Sequence, residues 1–262
     1  MELQRRLKDL EAQGLGLAVI THDAPEILER FAAERGITYP LLADPDSIII
    51  KRYDLLNETI EPTNRVYGIP HPGTFVIGRD GRVRSRFFEA AYQERNTAAS
   101  ILARTGGSAG SGPSVTRSTP DLQVTASATD DVVAPGSRFS IVFDVTPGPG
   151  MHVYAPGKHG YQVVSVELDP RPWLTAHQIV YPPSEVYHFK PLDERVEVYR
   201  TSFRLVQDVT IAATPAAQRE LGALSDVTLT GRVKYQACDD TICYMPTSVP
   251  LSWTVELRQL VR

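Results

Sequence analysis

The sequence predicts two kinds of fold in series: an α/β domain, then an all-β antiparallel sandwich. Three observations carry that expectation. Up to residue 104, short apolar runs alternate with helix-patterned stretches, the order that builds an α/β layer structure. From Leu122 onward, apolar and polar residues alternate at period two between turn signals, as in an antiparallel sandwich. Between these textures, residues 105–120 are rich in Gly and Ser and are predicted to be a flexible linker. The predicted boundaries are therefore 1–104, 105–120 and 121–262, and a length of 262 residues suits two domains.

The elements follow in order. Leu3, Leu7 and Leu10 recur at helical spacing, and Gly14 offers a C-cap. Residues 15–21 form an apolar run fit for a buried parallel strand. Asp23 is placed to cap the next helix and Pro25 to sit near its first position, with Gly36 closing residues 26–35. Residues 37–42 read as a second strand, and Asp44-Pro45-Asp46 as the cap of a helix running through Leu55. Residues 74–77 and 83–88 read as strands joined by the Asp80-Gly81 turn, and residues 93–104 as a closing helix. In the second domain, residues 122–127, 137–145, 161–168, 200–206, 227–235 and 248–257 alternate as strands.

Composition excludes several functions. Net charge is −4 and neither part is basic, so no nucleic-acid partner is expected. No apolar run approaches the roughly 20 residues needed to span a bilayer, so the chain is not expected to cross a membrane with a helix. The chain starts directly inside an amphipathic helix without a signal peptide, and an upstream segment is expected to be missing. Only two cysteines occur, Cys238 and Cys243, which excludes a multi-disulfide scaffold.

Strand patterns flank those cysteines, and residues 239–242 make a four-residue connection between them. A hairpin of that length sets the two opposite each other, with Cα atoms about 4.5–5.5 Å apart, close enough for a disulfide. So short a loop gains only about 2 kcal/mol from closure, which a sandwich of this size does not need. A bond in a tight hairpin is also expected to exchange readily. Two other readings stay open. The pair is a structural bridge in a binding module, or its thiolates hold zinc or copper with His152, His159, His177 or His188. No cofactor is expected.

Two resemblances add to this. The stretch Tyr67-Gly-Ile-Pro-His-Pro-Gly-Thr-Phe-Val-Ile-Gly-Arg-Asp-Gly-Arg-Val83, with the α/β order around it, resembles the thioredoxin-like peroxiredoxin (AhpC/TSA, redoxin) family. The resemblance implies a thioredoxin-like fold and sets Pro72 at the position of a proline that is usually cis. The family's reactive cysteine lies at the start of an early helix, whereas no cysteine precedes Cys238 here. The resemblance therefore implies a domain that is N-terminally incomplete and does no thiol chemistry by itself.

Tyr235-Gln236-Ala237-Cys238 and Cys243-Tyr244-Met245-Pro246 resemble the signature of the thiol:disulfide interchange protein DsbD N-terminal domain. That resemblance implies an immunoglobulin-like sandwich acting as an electron carrier in the periplasm or another extracytoplasmic space. Electrons would arrive from a membrane-embedded DsbD/CcdA-like donor and leave to thioredoxin-like or peroxiredoxin-like proteins. Cys243 would attack a partner disulfide and Cys238 would resolve the adduct. His152 and Tyr154 match the family's aromatic strand, placed to donate hydrogen bonds to sulfur. Tyr187 and Phe189 match its protective cap. Asp239 and Asp240 are expected to oppose thiolate formation by like charge, and Tyr235 and Tyr244 to border the site.

Overall fold

The computed structural model describes residues 2–88, 95–105, 107, 110–190 and 193–259. It divides into units Met1–Ala98 and Ala99–Arg262, and the predicted pairing of fold classes is present. The first unit is a thioredoxin-like α/β arrangement. Its elements are α1 (Glu2–Arg5), α2 (Leu7–Ala12), β1 (Val19–Thr21), α3 (Pro25–Arg35), β2 (Leu41–Ala43), α4 (Ile48–Arg52), β3 (Gly73–Ile77), β4 (Val83–Phe88) and β5 (Arg95–Asn96). Strands β1 and β2 pair in parallel across the α3 crossover, and β3 and β4 pair antiparallel.

Local chemistry accounts for most of these boundaries. Pro25 opens α3, and Gly36 closes it in the left-handed region at φ 61°. Asp23 does not cap that helix, since Ala24 holds the cap position and the Asp23 carboxylate accepts from the Thr21 hydroxyl at 2.7 Å. The Asp44 carboxylate takes the free N–H groups of Ile48 and Ile50 at 2.9 and 2.8 Å, as a capping acid should. Pro72 departs from expectation: no peptide bond among the described residues is cis. The segment enters β3 extended, held by the His71 N–H donating to the Leu55 carbonyl at 2.7 Å and by a Leu56–Pro70 bridge. The trans form is the one X–Pro bonds ordinarily prefer. Residues 93 and 94 of the expected closing helix lie outside the described residues.

The second unit starts with α5 (Ala98–Arg104), then β6 (Ser114–Ser118), β7 (Leu122–Ala128), β8 (Val132–Val133), β9 (Ser137–Pro147), β10 (His152–Tyr154), β11 (Ser165–Leu168) and β12 (Leu174–Val180). After these come β13 (Glu185–Phe189), β14 (Glu194–Tyr199), β15 (Phe203–Ile211), α6 (Pro215–Leu221), β16 (Asp226–Tyr235), β17 (Ala237–Cys238) and β18 (Thr247–Leu257). Two sheets, β12-β15-β9-β7-β6 and β11-β16-β18-β8, make the immunoglobulin-like sandwich. Its core follows from the period-two pattern. Val124 and Ala126 of β7, Leu229 and Val233 of β16, and Leu251, Trp253 and Val255 of β18 share one buried cluster.

The predicted linker is corrected in part. Residues 114–118 are an edge strand paired with β7, from Ser114 opposite Ser127 to Ser118 opposite Gln123. Gly110, at φ 91°, and Gly112 run against the backbone of Ala128, Thr129 and Asp130, where a Cβ would collide with carbonyl groups. Glycine serves close backbone approach there. Residues 106, 108 and 109 lie outside the described residues. Helix α6 was not expected, although Thr214-Pro215 is a helix-start pair: the Thr214 hydroxyl accepts the Ala217 N–H at 3.2 Å.

Candidate functional site

A third sheet, β13-β14-β10-β17, carries the cysteines. Strands β16 and β18 pair as far as Tyr235 opposite Thr247. The chain between them then leaves that ladder. Pro246 has no N–H to give it. The Gln236 side chain accepts the Gln162 N–H at 3.1 Å and donates to the Tyr244 carbonyl at 3.0 Å. The excursion lays β17 along β10, with His152 opposite Cys238. Cys238 also bridges Cys243 in the expected opposed arrangement, and the two are joined by a disulfide with Cα atoms 4.1 Å apart.

The two sulfurs differ in access. Cys238 is fully buried in a cluster with Tyr154, Val196 and Val198. Cys243 is only partly buried and packs against that cluster beside Tyr161 and Tyr187. Its neighbours stand out into solvent, Ile242 at 56% and Met245 at 82% exposure.

Tyr154 is the hydroxyl at the sulfurs. Its Oη lies 3.0 Å from Cys238 Sγ and 3.3 Å from Cys243 Sγ. Burial, then the neighbouring Tyr161 and Glu194, push its pKa far above the ordinary phenol value, so it stays a protonated donor. Tyr161 stacks flat on it, with ring centroids 4.2 Å apart, and donates to the Glu194 carboxylate. His159 packs against both rings, 5.2 Å from Tyr154 and 5.8 Å from Tyr161, with its Nε2 at 2.8 Å from the Ala155 carbonyl. From the sequence, His159 is named only among possible metal ligands and Tyr161 only as the start of an expected strand; neither is expected beside Tyr154. The strand expected over 161–168 begins only at Ser165, which leaves both residues in the connection from β10, and a tyrosine seven residues from Tyr154 gives no sign of stacking on it.

The other expected site residues divide. Tyr187 reaches the cysteine loop, donating to Asp240 Oδ1 at 2.6 Å, with Arg200 over its ring at 5.1 Å. The bond to the Asp240 carboxylate raises the Tyr187 pKa above the ordinary phenol value, making the hydroxyl a weaker acid. Phe189 is buried on the same strand but is not a member of the cysteine cluster. Tyr235 faces the sandwich core, its hydroxyl 2.8 Å from Thr119 Oγ1 and 3.3 Å from Asp121 Oδ2. Strand parity, which groups it with Val233, turns it away from the sulfurs. Tyr244 donates to Asp239 Oδ2 at 3.0 Å at the foot of the loop. Pro72 lies in the other unit, beside an open apolar hollow lined by Ile50, Phe75 and Phe87.

Asp239 forms the turn. Its Oδ1 accepts the Thr241 N–H, the Thr241 hydroxyl and the Ile242 N–H, each at 2.7 Å. Those donors, led by the Thr241 hydroxyl, hold the carboxyl far below the usual carboxylate range. Among the described residues no three His, Cys, Asp or Glu side chains gather as a metal cluster.

His152 is 1% exposed and packs 4.7 Å from the Tyr187 ring, its Nε2 buried without a partner. It makes no hydrogen bond to sulfur. Burial, then Arg200, depress its basicity below 6.5, against the opposing pull of Asp240 and Asp239. The unfolded chain therefore takes up a proton first on acidification. This histidine's contribution to stability is present above pH 6.5 and is lost as pH falls below it. Urea unfolding of His152→Gln is expected to lose less stability than wild type between pH 7 and about pH 5.

Comparison with known proteins agrees with this geometry. The family model for the thiol:disulfide interchange protein DsbD, N-terminal, matches residues 120–251, half of the chain. The AhpC/TSA family model matches residues 1–86. Two Mycobacterium tuberculosis proteins provisionally named peroxiredoxins, from strains CDC 1551 and H37Rv, are each 32% identical over 82 residues. That alignment covers 31% of this chain, and the chain spans about half the length of each relative, 52%. Among solved structures, the N-terminal periplasmic domain of ScsB from Proteus mirabilis aligns at 14% identity and TM-score 0.38. It covers 53% of this chain and 49% of that one. The yeast GGA1 GAE domain aligns at 8% identity and TM-score 0.31, covering 53% of this chain and 97% of its own. The chain belongs to the DsbD N-terminal family through its second unit, and its general chemistry is thiol–disulfide redox.

Proposed function

We propose, from membership of that family, that Cys238 and Cys243 form an exchangeable dithiol that carries electrons between protein partners in an extracytoplasmic space. The donor is a membrane-embedded DsbD/CcdA-like protein. The acceptors are thioredoxin-like or peroxiredoxin-like proteins. The observation that carries the reading is the asymmetry of the pair: Cys238 is fully buried, whereas Cys243 sits at an exposed rim beside Met245.

The chemistry runs in two displacements. The Cys243 thiolate attacks one sulfur of the partner's disulfide, forms a mixed disulfide and expels one partner thiolate. The Cys238 thiolate then attacks Cys243 Sγ and releases the second. Two electrons and two protons pass from this dithiol to the partner, and the Cys238–Cys243 bond is restored. Tyr154 donates to whichever sulfur carries charge. Tyr187, bound to Asp240, lies over the buried side of the pair and limits access by small oxidants.

Trapping tests the assignment. Reduced Cys238→Ser, mixed with an oxidised thioredoxin-like protein, is expected to accumulate a mixed disulfide through Cys243. Cys243→Ser is expected to form none and to transfer no electrons. Equal transfer by both variants would refute the roles. A wild-type potential below about −300 mV with no transfer would mark a structural bridge instead.

A further inference from the structure

We infer that Asp239 is a positioning residue which holds the two thiols face to face after the disulfide opens. This deepens the proposed exchange function and rests on that reading. The loop between the cysteines has two sets of bonds that do not involve sulfur. One set is backbone: the Asp239 N–H donates to the Ile242 carbonyl at 3.0 Å, and the Tyr244 N–H to the Ala237 carbonyl at 2.9 Å. The other set converges on the Asp239 carboxylate, which takes both N–H groups of the turn, the Thr241 hydroxyl and the Tyr244 hydroxyl. Gln236 then fixes the base of the loop through the Tyr244 carbonyl and the Gln162 N–H. These bonds survive reduction, because breaking S–S removes none of their donors or acceptors.

The consequence is chemical. Ring closure of a dithiol is favoured in proportion to the effective concentration of one thiol at the other, and a loop already folded has little entropy left to lose. The same fixation lets Cys238 reach Cys243 Sγ quickly once a partner is attached, so release of the reduced partner is fast. It also changes the meaning of the charge beside Cys238. A free carboxylate there would chiefly oppose thiolate formation. This one is occupied by four donors, so its main effect is on geometry.

The test measures the equilibrium between the dithiol and disulfide forms of the full chain in dithiothreitol and glutathione buffers. Asp239→Ala is expected to lower the effective concentration at least tenfold, equivalent to a rise in potential of about 30 mV. Decay of a mixed disulfide with glutathione is expected to slow by a similar factor. Asp239→Asn keeps an acceptor oxygen for the turn N–H groups and is expected to retain most of the wild-type value. Thr241→Val removes one hydroxyl donor without touching the carboxylate. It is expected to shift the equilibrium the same way as Asp239→Ala, by a smaller factor.

An effective concentration for Asp239→Ala within twofold of wild type overturns the inference. So does an equal shift for Asp239→Asn and Asp239→Ala, because that pattern reports charge alone. Failure of the exchange function reads differently: the wild-type protein would close its disulfide in dithiothreitol buffers yet transfer no electrons to an oxidised thioredoxin-like protein.

Discussion

Tyr154→Phe is expected to slow electron transfer to an oxidised thioredoxin-like protein by roughly ten- to a hundredfold while leaving the fold intact. Its hydroxyl is within 3.3 Å of both sulfurs. A disulfide sulfur is a weak acceptor, so the contact contributes little to the oxidised protein. A thiolate is a strong acceptor, and hydrogen bonds to charged groups are worth about 1.5–3 kcal/mol. That energy corresponds to a factor of about ten to a hundred, realised only when charge develops on sulfur, as attack and departure both require. Burial of Cys238 sharpens the need, since its fully buried sulfur must carry the thiolate charge that attacks Cys243 out of reach of bulk solvent. Phenylalanine preserves the ring stacked on Tyr161 and the packing against Val198. Two measurements check the expectation: the transfer rate, and the cysteine acidity read from the pH dependence of alkylation. The acidity is expected to weaken. Wild-type values for both would show that the hydroxyl is a bystander.

The contribution of each aromatic side chain depends on what its polar end meets. Tyr154 meets sulfur, Tyr161 meets Glu194, Tyr187 meets Asp240 and Tyr244 meets Asp239. Three carboxylates near the pair are thus engaged by phenols. The expectation that Asp239 and Asp240 act mainly as repulsive charges is modified accordingly. Both are acceptors that tie the cysteine loop, Asp239 to itself and Asp240 to the Tyr187 strand.

The sandwich was legible because its strands are long and bury only one face. The pattern in β7, β16 and β18 alternates without a break, and parity alone names Leu122, Val227 and Trp253 as inward residues. The same parity assigns Tyr235 to the core; reading it by its closeness to Cys238 in the chain gave the wrong side. The cysteines, Tyr154 and Tyr187 were legible from motif and spacing. The sheet that holds them was not. Strands β13 and β14 are short and polar, with Glu185, His188, Glu194, Arg195 and Glu197 among their eleven residues, so the apolar alternation is too brief to stand out. Their short inner face covers only the small cysteine cluster. The Asp239 turn was hidden for a similar reason: Asp-Asp-Thr reads as a solvated acidic loop until the carboxylate is seen accepting from its own backbone. Residues 110–118 misled through composition, because glycine permits close packing as readily as it permits freedom.

Trp253→Ala is expected to destabilise the second unit by about 3–5 kcal/mol, the range for truncating a large aromatic in a core. Trp253 is 2% exposed at the middle of β18, paired with Leu229 across the sheet. It meets the opposite sheet in two ways. Its ring stands edge-on to Phe143 with centroids 5.9 Å apart, and its indole N–H donates to the Ala126 carbonyl at 3.1 Å. Alanine forfeits both and leaves a cavity between the layers. Trp253→Phe separates the contributions: it keeps most of the apolar volume, loses the N–H donor, and is expected to cost about 1–3 kcal/mol. Since β18 and β16 flank the segment that carries the cysteines, the loss has a redox consequence. The third sheet hangs on the end of that ladder at Tyr235 and Thr247. A looser ladder shares its disorder with β17, so Cys238 in Trp253→Ala is expected to be alkylated faster after reduction. Denaturant titration of the oxidised protein and timed alkylation of the reduced one measure the two effects separately. Loss of stability without faster alkylation would show that the cysteine sheet holds its shape independently of the sandwich.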